Sequence, residues 1–253
     1  MSDRQKEILA LAQVAGRVEV DDMAARFAVS PQTIRKDLNE ICALNLLHRV
    51  HGGAVMVAGV ENLRYESRRL LAQDEKRNIG RAAAALVPDN SSLFINIGTT
   101  TEAVAHHLRN RSDLLVITNN MNVANILRPI DSIDVIVVGG LVRHSDGGLV
   151  GETAVDFINQ FKVDYAIIGT SAIDADGTLM DFDLREVKAA QAIIANARRV
   201  ILVTDRMKLE RTAPVRVAHL SQIHTFVTDS LPHGGVRDIC RDHGVRIVEA
   251  DEI

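Results

Sequence analysis

The sequence has few of the residues that mark membrane proteins, disulfide-linked proteins or proteins that stack on single-stranded nucleic acid. It contains no tryptophan, and aromatic residues make up only 3% of the chain, which argues against base stacking on aromatic side chains. No apolar run reaches the roughly 18 residues needed to cross a bilayer, and the opening residues do not resemble a signal peptide. Cys42 and Cys240 lie far apart and lack metal-ligand spacing, which fits a reduced cytoplasm. We therefore expect a cytoplasmic protein with no membrane partner, metal or cofactor.

Bulk charge gives no reason to expect a nucleic-acid partner, because the net charge is -4 at pH 7. Binding to DNA needs a local excess of positive charge, and residues 26–49 carry a modest one. Four basic residues oppose two acidic residues there: Arg26, Arg35, Lys36 and Arg49 against Asp37 and Glu40. The 253 residues, 47% of them hydrophobic, suffice for one large domain or for a small and a medium one.

One segment near the N-terminus predicts a helix suited to the major groove of DNA. Ser30 is a good N-cap and Pro31 suits the first helical position. Beyond them Ile34, Leu38 and Ile41 recur at helical spacing and predict one buried stripe. The open face of the first two turns then carries Gln32, Thr33, Arg35 and Lys36. These side-chain types reach base edges and phosphates, although in isolation the pattern also suits an ordinary capped surface helix.

The preceding residues favour the DNA-binding interpretation. They predict a helix over 3–15, a short extended piece over 17–20 and a second helix over 23–27, capped by Asp21 or Asp22. Only two residues separate this second helix from the next one. Two short helices so close together are typical of a helix-turn-helix, in which the second helix contacts the bases.

The residues that follow predict a β-hairpin, or wing. A short extended run, the Gly52-Gly53 pair and another apolar run are typical of two strands joined by a tight turn. Arg49, His48 and His51 are candidates for contacts with the phosphate backbone. For the two histidines, an ordinary solvated position on the hairpin is an equal alternative.

The rest of the chain predicts an open parallel α/β sheet. Residues 1–57 form the expected DNA-binding domain, 58–73 a linker with helical character, and 74–253 the α/β domain, which opens with a helix over 74–87. Short β-branched runs then alternate with stretches of helical spacing, which indicates parallel strands with right-handed crossovers. The runs are 93–97, 114–117, 135–138, 165–168, 200–203, 225–227 and 245–248.

Small polar residues and glycines follow these runs, where ligands bind in open α/β sheets. They include Gly98, Thr99, Thr100, Thr101, Thr118, Asn119, Asn120, Gly139, Gly140, Gly169, Thr170, Ser171, Thr204 and Asp205. Gly98 and the three threonines favour a phosphate cradle at a helix N-terminus. The sequence from Thr99 to Glu102 also fits a capping box. Both roles can coexist if Thr99 caps the helix while Thr100 and Thr101 face the ligand.

Two further segments are weaker candidates for the ligand site. The glycine-rich stretch from Arg143 to Gly151 and Glu152 opens a helix and could close over a ligand, although an ordinary surface loop has the same composition. Glu186 begins another helix, where an acidic residue is expected from the helix dipole alone. Lys208 follows a strand end within plausible reach of an anion, with a solvated lysine as the alternative.

Two segments resemble a known family. Ser-Pro-Gln-Thr-Ile-Arg-Lys-Asp-Leu at 30–38, followed by Leu-His-Arg-Val-His-Gly-Gly-Ala at 47–54, resembles the winged-helix signature of the DeoR-type bacterial repressors. Lys36 stands where the family usually has a second arginine, and lysine is poorer at bidentate guanine recognition. The resemblance implies double-stranded operator DNA as a partner and a binding surface of Ser30, Gln32, Thr33, Arg35, Lys36, Arg49, His51 and Gly52.

The second half resembles the sensor domain of the same family, which is similar in fold to ribose-5-phosphate isomerase and the sugar-phosphate deaminases. The match lies at 94–106, with Asn96 where relatives more often have Asp. Stretches at 118–125, 146–152 and 156–161 look closest to a branch that responds to glycerol 3-phosphate. The resemblance implies a phosphorylated effector, self-association as a dimer or tetramer, and an effector site. Its expected residues are Asn96, Gly98, Thr99, Thr100, Thr101, Glu102, Asn119, Asn120, Gly139, Gly140, Arg143, Gly151, Glu152, Glu186 and Lys208.

These patterns leave one leading hypothesis and two rivals. The leading one is a repressor that leaves its operator when a phosphorylated metabolite, glycerol 3-phosphate first, binds the sheet domain. The first rival is a sugar-phosphate isomerase with an accessory DNA-binding domain, since Leu-Arg-Glu186 resembles the segment that holds the isomerase carboxylate. The glycine-lysine stretch expected before it is absent, and a general base without its partner acid is a poor catalyst, so we predict no catalytic residue. The second rival is an activator, or a regulator without a small ligand.

Overall fold

The chain divides into two compact units, Met1–Leu71 and Ala72–Ile253, in a computed structural model that describes residues 1–44, 46–56 and 65–250. The predicted linker, 58–73, lies across this division, and its part at 58–64 falls outside the described residues. So do residue 57 and residues 251–253 of the two predicted domains. No helix in the described ranges is long and apolar enough to cross a membrane.

The first unit combines helices with a small antiparallel sheet of strand order β1-β3-β2. Its elements are α1 (Asp3–Ala15), β1 (Arg17–Glu19), α2 (Val20–Phe27), α3 (Pro31–Ala43), β2 (Leu47–Val50), β3 (Gly53–Met56) and α4 (Tyr65–Leu70). The predicted helix-turn-helix is α2 and α3, and the predicted wing is the hairpin of β2 and β3. This arrangement is a winged helix.

The start of α2 differs from the prediction. The helix begins at Val20 rather than at residue 23, and its N-cap is Glu19, which makes no side-chain cap bond. The chain passes directly from β1 into the helix, so Asp21 and Asp22 lie in its first turn instead of capping it. They still favour the helix there, because negative charge near an N-terminus complements the helix dipole.

The predicted stripe on α3 is confirmed as the core of the first unit. Ile34, Leu38 and Ile41 are fully buried, as are Ile8 of α1 and Leu46 before β2. Burial of one such side chain is worth about 1.5–3 kcal/mol, so these residues fix α3 on the unit and leave its opposite face to solvent.

The two glycines of the wing have different physical reasons. Gly52 has φ +77°, a conformation that favours glycine in the turn between β2 and β3. Gly53 lies against β1, and a Cβ atom there would come within 2.1 Å of the Val18 carbonyl oxygen. A side chain at Gly53 would therefore push β1 off the sheet.

The second unit is an α/β sheet with two small antiparallel additions. Its helices are α5 (Gln73–Ala85), α6 (Thr99–Leu108), α7 (Met121–Leu127), α8 (Glu152–Ile158), α9 (Leu184–Ala195) and α10 (Val236–Asp242), with 3₁₀ turns at Arg206–Glu210 and Leu220–Gln222. Its strands are β4 (Ser92–Ile95), β5 (Leu114–Thr118), β6 (Ile133–Val137), β7 (Leu141–Val142), β8 (Leu149–Val150), β9 (Val163–Ile168), β10 (Ala172–Ile173), β11 (Thr178–Asp181), β12 (Ala197–Val203), β13 (Val215–His219), β14 (Thr225–Thr228) and β15 (Arg246–Glu249).

All seven predicted runs lie in one parallel sheet of order β15-β14-β12-β9-β4-β5-β6. The open parallel α/β sheet is thus confirmed. The sequence patterns did not reveal the β7–β8 hairpin or the antiparallel sheet β10-β11-β13, because these strands are too short to show a period. The glycine-rich stretch from Arg143 is mainly the loop of that hairpin.

Hydrophobic residues cover both faces of the parallel sheet, as buried parallel strands require. Phe94 belongs to the cluster that packs under α8, α9 and α10, whereas its neighbour Ile95 belongs to the cluster under α5, α6 and α7. Helices α5 and α6 pack closely, and a Cβ atom on Gly80 would lie 2.7 Å from the Ala103 carbonyl group. This tight packing fixes α6, whose first turn forms part of the candidate site.

Candidate functional site

The N-terminus of α3 has the predicted cap. The Ser30 hydroxyl oxygen accepts a hydrogen bond from the Thr33 N–H at 3.1 Å, and the two hydroxyls lie 2.9 Å apart. Both side chains are therefore engaged in the cap while they remain on the open face of the helix. Their role at the surface is to orient the first turn.

The exposed face of α3 carries the cationic groups predicted for it. Gln32, Arg35 and Lys36 are exposed. Arg35 makes no hydrogen bond or ion pair with any described residue, while Lys36 Nζ lies 4.0 Å from the Glu40 carboxylate in an exposed pair. Exposed pairs of this kind contribute little. Both side chains are thus available to a partner.

The other edge of α3 is tied to α1 by a buried polar network that the sequence patterns did not reveal. Asp37 is 5% exposed and accepts hydrogen bonds from Arg4 Nε at 2.6 Å and Gln5 Nε2 at 3.1 Å. Gln5 Nε2 also donates to Glu40 at 2.6 Å. The acidic charges of α3 are therefore engaged by α1 and Lys36, which strengthens the local positive charge of the open face.

The wing is joined to α3 through Arg49. Its Nε donates to the Asn39 side chain at 3.2 Å and its Nη1 donates to the Gly53 carbonyl oxygen at 2.6 Å. His51 and Gly52 form the exposed turn of the hairpin. Arg49 is itself exposed, so it positions the wing and keeps donors at the surface.

In the second unit, the loop after β4 opens α6 without the predicted capping box. Gly98 is the N-cap, at φ +151°, and Thr99 is already helical, so Thr99 does not cap the helix. Thr101 is fully buried, and its hydroxyl lies 2.7 Å from the carbonyl oxygens of both Asn96 and Gly98. Thr101 thus holds the loop in shape, whereas Thr99 and Thr100 lie at the start of the helix, where backbone N–H groups point outward.

Two buried asparagines at the strand ends keep an unsatisfied acceptor. Asn96 after β4 is 2% exposed and Asn119 after β5 is fully buried. Neither side-chain Oδ1 has a hydrogen-bond partner among the described residues. A buried polar atom without a partner costs about 1–3 kcal/mol. Such atoms at the carboxyl ends of neighbouring strands favour a site that a polar ligand completes.

Glu102 and Asn120, both predicted site residues, belong to a network that joins α6 to α7. The buried Glu102 carboxylate accepts hydrogen bonds from the amides of Asn120 at 3.2 Å and Asn122 at 3.0 Å. Asn120 Oδ1 in turn caps α7 by accepting from the Asn122 N–H. Asn122 also donates to the Asp146 carbonyl oxygen at 3.0 Å, so the network reaches the β7–β8 loop.

Arg143 and Glu186 are brought together, but with each other. Arg143 Nη2 donates to Glu186 at 2.6 Å, and the guanidinium also binds Asp146 at 2.7 and 2.8 Å and Asp183 at 3.1 Å. The four side chains are only 1–20% exposed. One cation among three carboxylates leaves this cluster, Arg143-Asp146-Asp183-Glu186, with two net negative charges. It is therefore a poor place for a phosphate, against the expectation that Arg143 would bind one.

The charges of this cluster stabilise one another. Burial disfavours the charged guanidinium, but the hydrogen bond to Asp146 and the charge of Glu186 outweigh burial and raise the pKa of Arg143. Hydrogen bonds from Arg185, and to a smaller extent from Arg143, lower the pKa of Asp183 to about 2. The cluster therefore stays ionised at neutral pH and ties the β7–β8 loop to the N-terminus of α9.

The remaining glycine positions shape the chain. Gly140 has φ +153°, and a Cβ atom there would lie 3.1 Å from the Val150 carbonyl oxygen, so it permits close packing before β7. Gly151 caps α8 at φ +107°, followed by the exposed Glu152. Gly139 is exposed, with no atom near a Cβ placed on it. The structure gives these residues no ligand-facing polar group.

The end of β12 holds polar groups that the sequence patterns placed only among the strand-end clusters. Thr204 is 2% and Asp205 3% exposed. Thr204 Oγ1 and Asp205 Oδ1 have no hydrogen-bond partner in the described part of the chain. Lys208 follows in a half-buried 3₁₀ turn, where its N–H donates to the Asp205 carbonyl oxygen at 3.1 Å.

Gly169 marks the point where these strand ends meet. A Cβ atom placed on it would lie 3.8 Å from Thr101 Cγ2, 3.8 Å from the Val203 carbonyl oxygen and 4.0 Å from the Ile97 carbonyl oxygen. The ends of β4, β9 and β12 and the first turn of α6 therefore surround one small region.

A winged helix with an unpaired arginine on its second helix, followed by an open sheet with unsatisfied polar groups at its strand ends, defines a class: ligand-responsive DNA-binding regulators. Residues 4–59 match the family model of the DeoR-like helix-turn-helix domain, and residues 71–230 match that of the DeoR C terminal sensor domain. The chain belongs to the DeoR family of transcriptional regulators.

Relatives share nearly the whole chain. The glycerol-3-phosphate regulon repressor of Escherichia coli is 42% identical over 97% of this chain and 98% of its own length. The protein of the same description in Haemophilus influenzae is 43% identical over 91% and 90%. Among solved structures, ribose 5-phosphate isomerase A of Methanocaldococcus jannaschii covers 55% of each chain at 16% identity and a TM-score of 0.41, a likeness too weak to support an argument about function.

Proposed function

We propose that the protein is a transcriptional repressor that leaves its double-stranded operator when a phosphorylated metabolite, glycerol 3-phosphate above other sugar phosphates, binds its second unit. The observation that carries the effector site is the Gly98 loop, which opens α6 beside the buried, unsatisfied Asn96. The description of the most similar relatives supports the choice of metabolite. Since the protein must reach DNA, we expect it in the cytoplasm.

Operator DNA binds the exposed face of α3 in this proposal. Arg35, which has no partner among the described residues, reads a base edge in the major groove, and Gln32 contacts neighbouring positions. Lys36 holds a phosphate as a point charge. The wing turn, with Arg49, His51 and Gly52, lies against the sugar-phosphate backbone, while Ser30 and Thr33 orient the first turn.

The phosphate of the effector binds at the N-terminus of α6. Backbone N–H groups of a first helical turn and the helix dipole attract an anion, and Gly98 lets the phosphate approach the backbone. The negative Arg143-Asp146-Asp183-Glu186 cluster repels a phosphate from the other side of the site. This asymmetry fixes the phosphate end of the effector on α6, and Lys208 contributes positive charge from the end of β12.

Release of the operator requires the effector to favour the state that binds DNA poorly. A hundredfold change in operator occupancy takes about 3 kcal/mol of differential affinity. Because one short helix seldom gives enough affinity, and two-fold operators match paired readers, we propose that the protein acts as a dimer or tetramer.

Catalysis is not part of the proposal. Glu186, the residue that would act as general base in an isomerase, is paired with Arg143 at 2.6 Å. A carboxylate stabilised in its charged form by a neighbouring cation is a weaker base. We therefore propose that this position has a structural role in the sensor unit.

A gel-shift titration tests the proposal. At equal concentrations, glycerol 3-phosphate should release the operator more effectively than inorganic phosphate. Equal release by both would remove the assignment of the metabolite. Binding that does not distinguish the operator from unrelated DNA would remove the assignment as a repressor. Turnover of ribose 5-phosphate that is lost in Glu186→Gln would restore the enzymatic alternative.

A further inference from the structure

Thr204 and Asp205 carry polar groups that the proposed phosphate site does not use. Both residues are nine-tenths buried or more, and in each an oxygen atom, Thr204 Oγ1 or Asp205 Oδ1, has no hydrogen-bond partner among the described residues. A buried carboxylate oxygen without a donor is costlier than a buried amide oxygen, because charged groups lose more on desolvation. A fold that keeps such a group has a reason for it beyond packing.

A neighbouring aspartate shows that burial at this edge of the sheet does not by itself leave oxygens unsatisfied. Asp229 follows β14, the next strand, and is 4% exposed. Its Oδ1 accepts hydrogen bonds from the Arg206 N–H at 2.8 Å and from the Thr228 hydroxyl at 3.1 Å. The unsatisfied oxygen is therefore specific to the end of β12.

The position of this pair relates it to the phosphate cradle. Only β9 separates β12 from β4, so the two strand ends lie about 10 Å apart. Gly169, at the end of β9, has no side chain to fill the gap, and its Cβ position lies within 4.0 Å of Thr101, Ile97 and Val203. A ligand whose phosphate binds α6 can thus extend over Gly169 toward Thr204 and Asp205.

From this arrangement we infer that Thr204 and Asp205 recognise the hydroxyl groups of the effector. The inference rests on the proposed function. A carboxylate oxygen accepts a hydrogen bond from an alcohol and repels a phosphate, while the threonine hydroxyl both donates and accepts. The pair therefore sets which end of the effector faces β12 and selects phosphate esters that carry hydroxyls over those that do not.

The experiment compares three probes: glycerol 3-phosphate, propyl phosphate, which has the same number of carbon atoms without the hydroxyls, and inorganic phosphate. Operator release and the thermal shift of the full chain are measured for each probe. The wild-type protein should respond to glycerol 3-phosphate at a concentration at least about tenfold lower than to propyl phosphate, because a site built to bind a hydroxyl discriminates against its absence.

Asp205→Asn should reduce this preference about tenfold by weakening the response to glycerol 3-phosphate, with the response to propyl phosphate unchanged. Thr204→Val, which keeps the shape of the side chain, should reduce it by a smaller factor. Asp229→Asn is the matched control and should keep the wild-type preference. Operator affinity without any probe should stay the same in Asp205→Asn and Thr204→Val.

Each result decides between distinct statements. A wild-type preference that survives in both Asp205→Asn and Thr204→Val overturns the inference and leaves the proposed function intact, and so does a wild-type protein that responds equally to the two esters. A wild-type protein that responds to none of the three probes overturns the effector assignment and the inference with it. If Asp205→Asn does not fold, judged by its thermal unfolding, Thr204→Val alone decides.

Discussion

The two candidate sites keep their polar groups in opposite ways. On α3 the groups proposed to contact DNA are exposed and bound loosely or not at all, as Arg35 and Lys36 show. In the second unit the candidate residues are buried and bound to one another, as in the Arg143-Asp146-Asp183-Glu186 cluster. A large charged macromolecule needs an accessible surface, whereas a small ligand needs a shaped cavity. Mutations should therefore separate binding from stability in the first site and mix the two in the second.

The largest effect on stability should come from Arg143→Ala. The change leaves three largely buried carboxylates without the guanidinium they share, and breaking a buried ion pair in this way costs about 3–5 kcal/mol. The free energy of unfolding of the second unit should fall by about that amount, measured by urea denaturation at pH 7 with hydrogen exchange to locate the transition.

Arg185→Ala is the control for this variant. Arg185 also pairs with Asp183, at 3.0 Å, but its side chain is 54% exposed, so its loss should cost less than about 1 kcal/mol. If the two variants are equally stable, the buried cluster does not hold the β7–β8 loop, and the contrast between the two sites weakens.

The opposite behaviour is expected for Arg35→Ala on the exposed face of α3. If Arg35 reads a base, the variant should lose about 1–3 kcal/mol of operator binding and become tolerant at one operator position. Its thermal unfolding should not change, because the side chain binds no described residue. Gel shifts against a set of operators with single substitutions measure the effect.

Lys36→Ala is the matched variant on the same face. It should weaken binding to all sequences alike and reduce the salt dependence by about one unit. If both variants bind like the wild type, α3 is not the element that reads DNA. If both lose stability instead, the exposed face is structural and the comparison with the second unit fails.

The difference between the sites also decides how much of each could be predicted from the sequence. The helix α3 depends on neighbours in sequence, since Ser30 caps it, Pro31 starts it and the apolar stripe is confirmed within one segment. The seven parallel strands were predictable for the same reason, because buried strands are continuous β-branched runs. Local patterns are sufficient where the structure is set locally.

Contacts between distant residues were not predictable. Arg143 and Glu186 lie 43 residues apart in sequence, and nothing in either segment shows that they neutralise each other. The capping box at Thr99 was a reasonable local pattern, yet the close approach of Thr101 to the carbonyls of Asn96 and Gly98 moves the cap to Gly98. The unsatisfied oxygens of Asn96 and Asp205 are visible only once the strand ends are placed side by side.

A smaller effect on both binding and stability is expected for Thr101→Val. The variant keeps the shape of the side chain but loses the hydroxyl that holds the Gly98 loop, which should cost about 1 kcal/mol of the free energy of unfolding. The loosened loop should also raise the concentration of glycerol 3-phosphate that releases the operator, without changing operator affinity in its absence. Thr153→Val, at an exposed position in α8, should change neither quantity. A variant that loses stability with an unchanged response would show that the loop shape does not matter for the effector.

The smallest effect concerns pH. The pKa of Asp183 in the folded protein, about 2, lies below its ordinary value of 3.8, so the charged form stabilises the fold. This contribution is fully present above the ordinary value and disappears as the pH falls from about 4 toward 2. Asp183→Asn keeps a cap for α9 but cannot ionise. The variant should therefore be less stable than the wild type at pH 6, by under about 1 kcal/mol because the main partner, Arg185, is exposed, and the difference should shrink in urea denaturation at pH 4 and again at pH 2.5. A difference that stays constant or grows on acidification would mean that the charge of Asp183 does not hold the β7–β8 loop to α9, and that the loop depends on Asp146 and Glu186 alone.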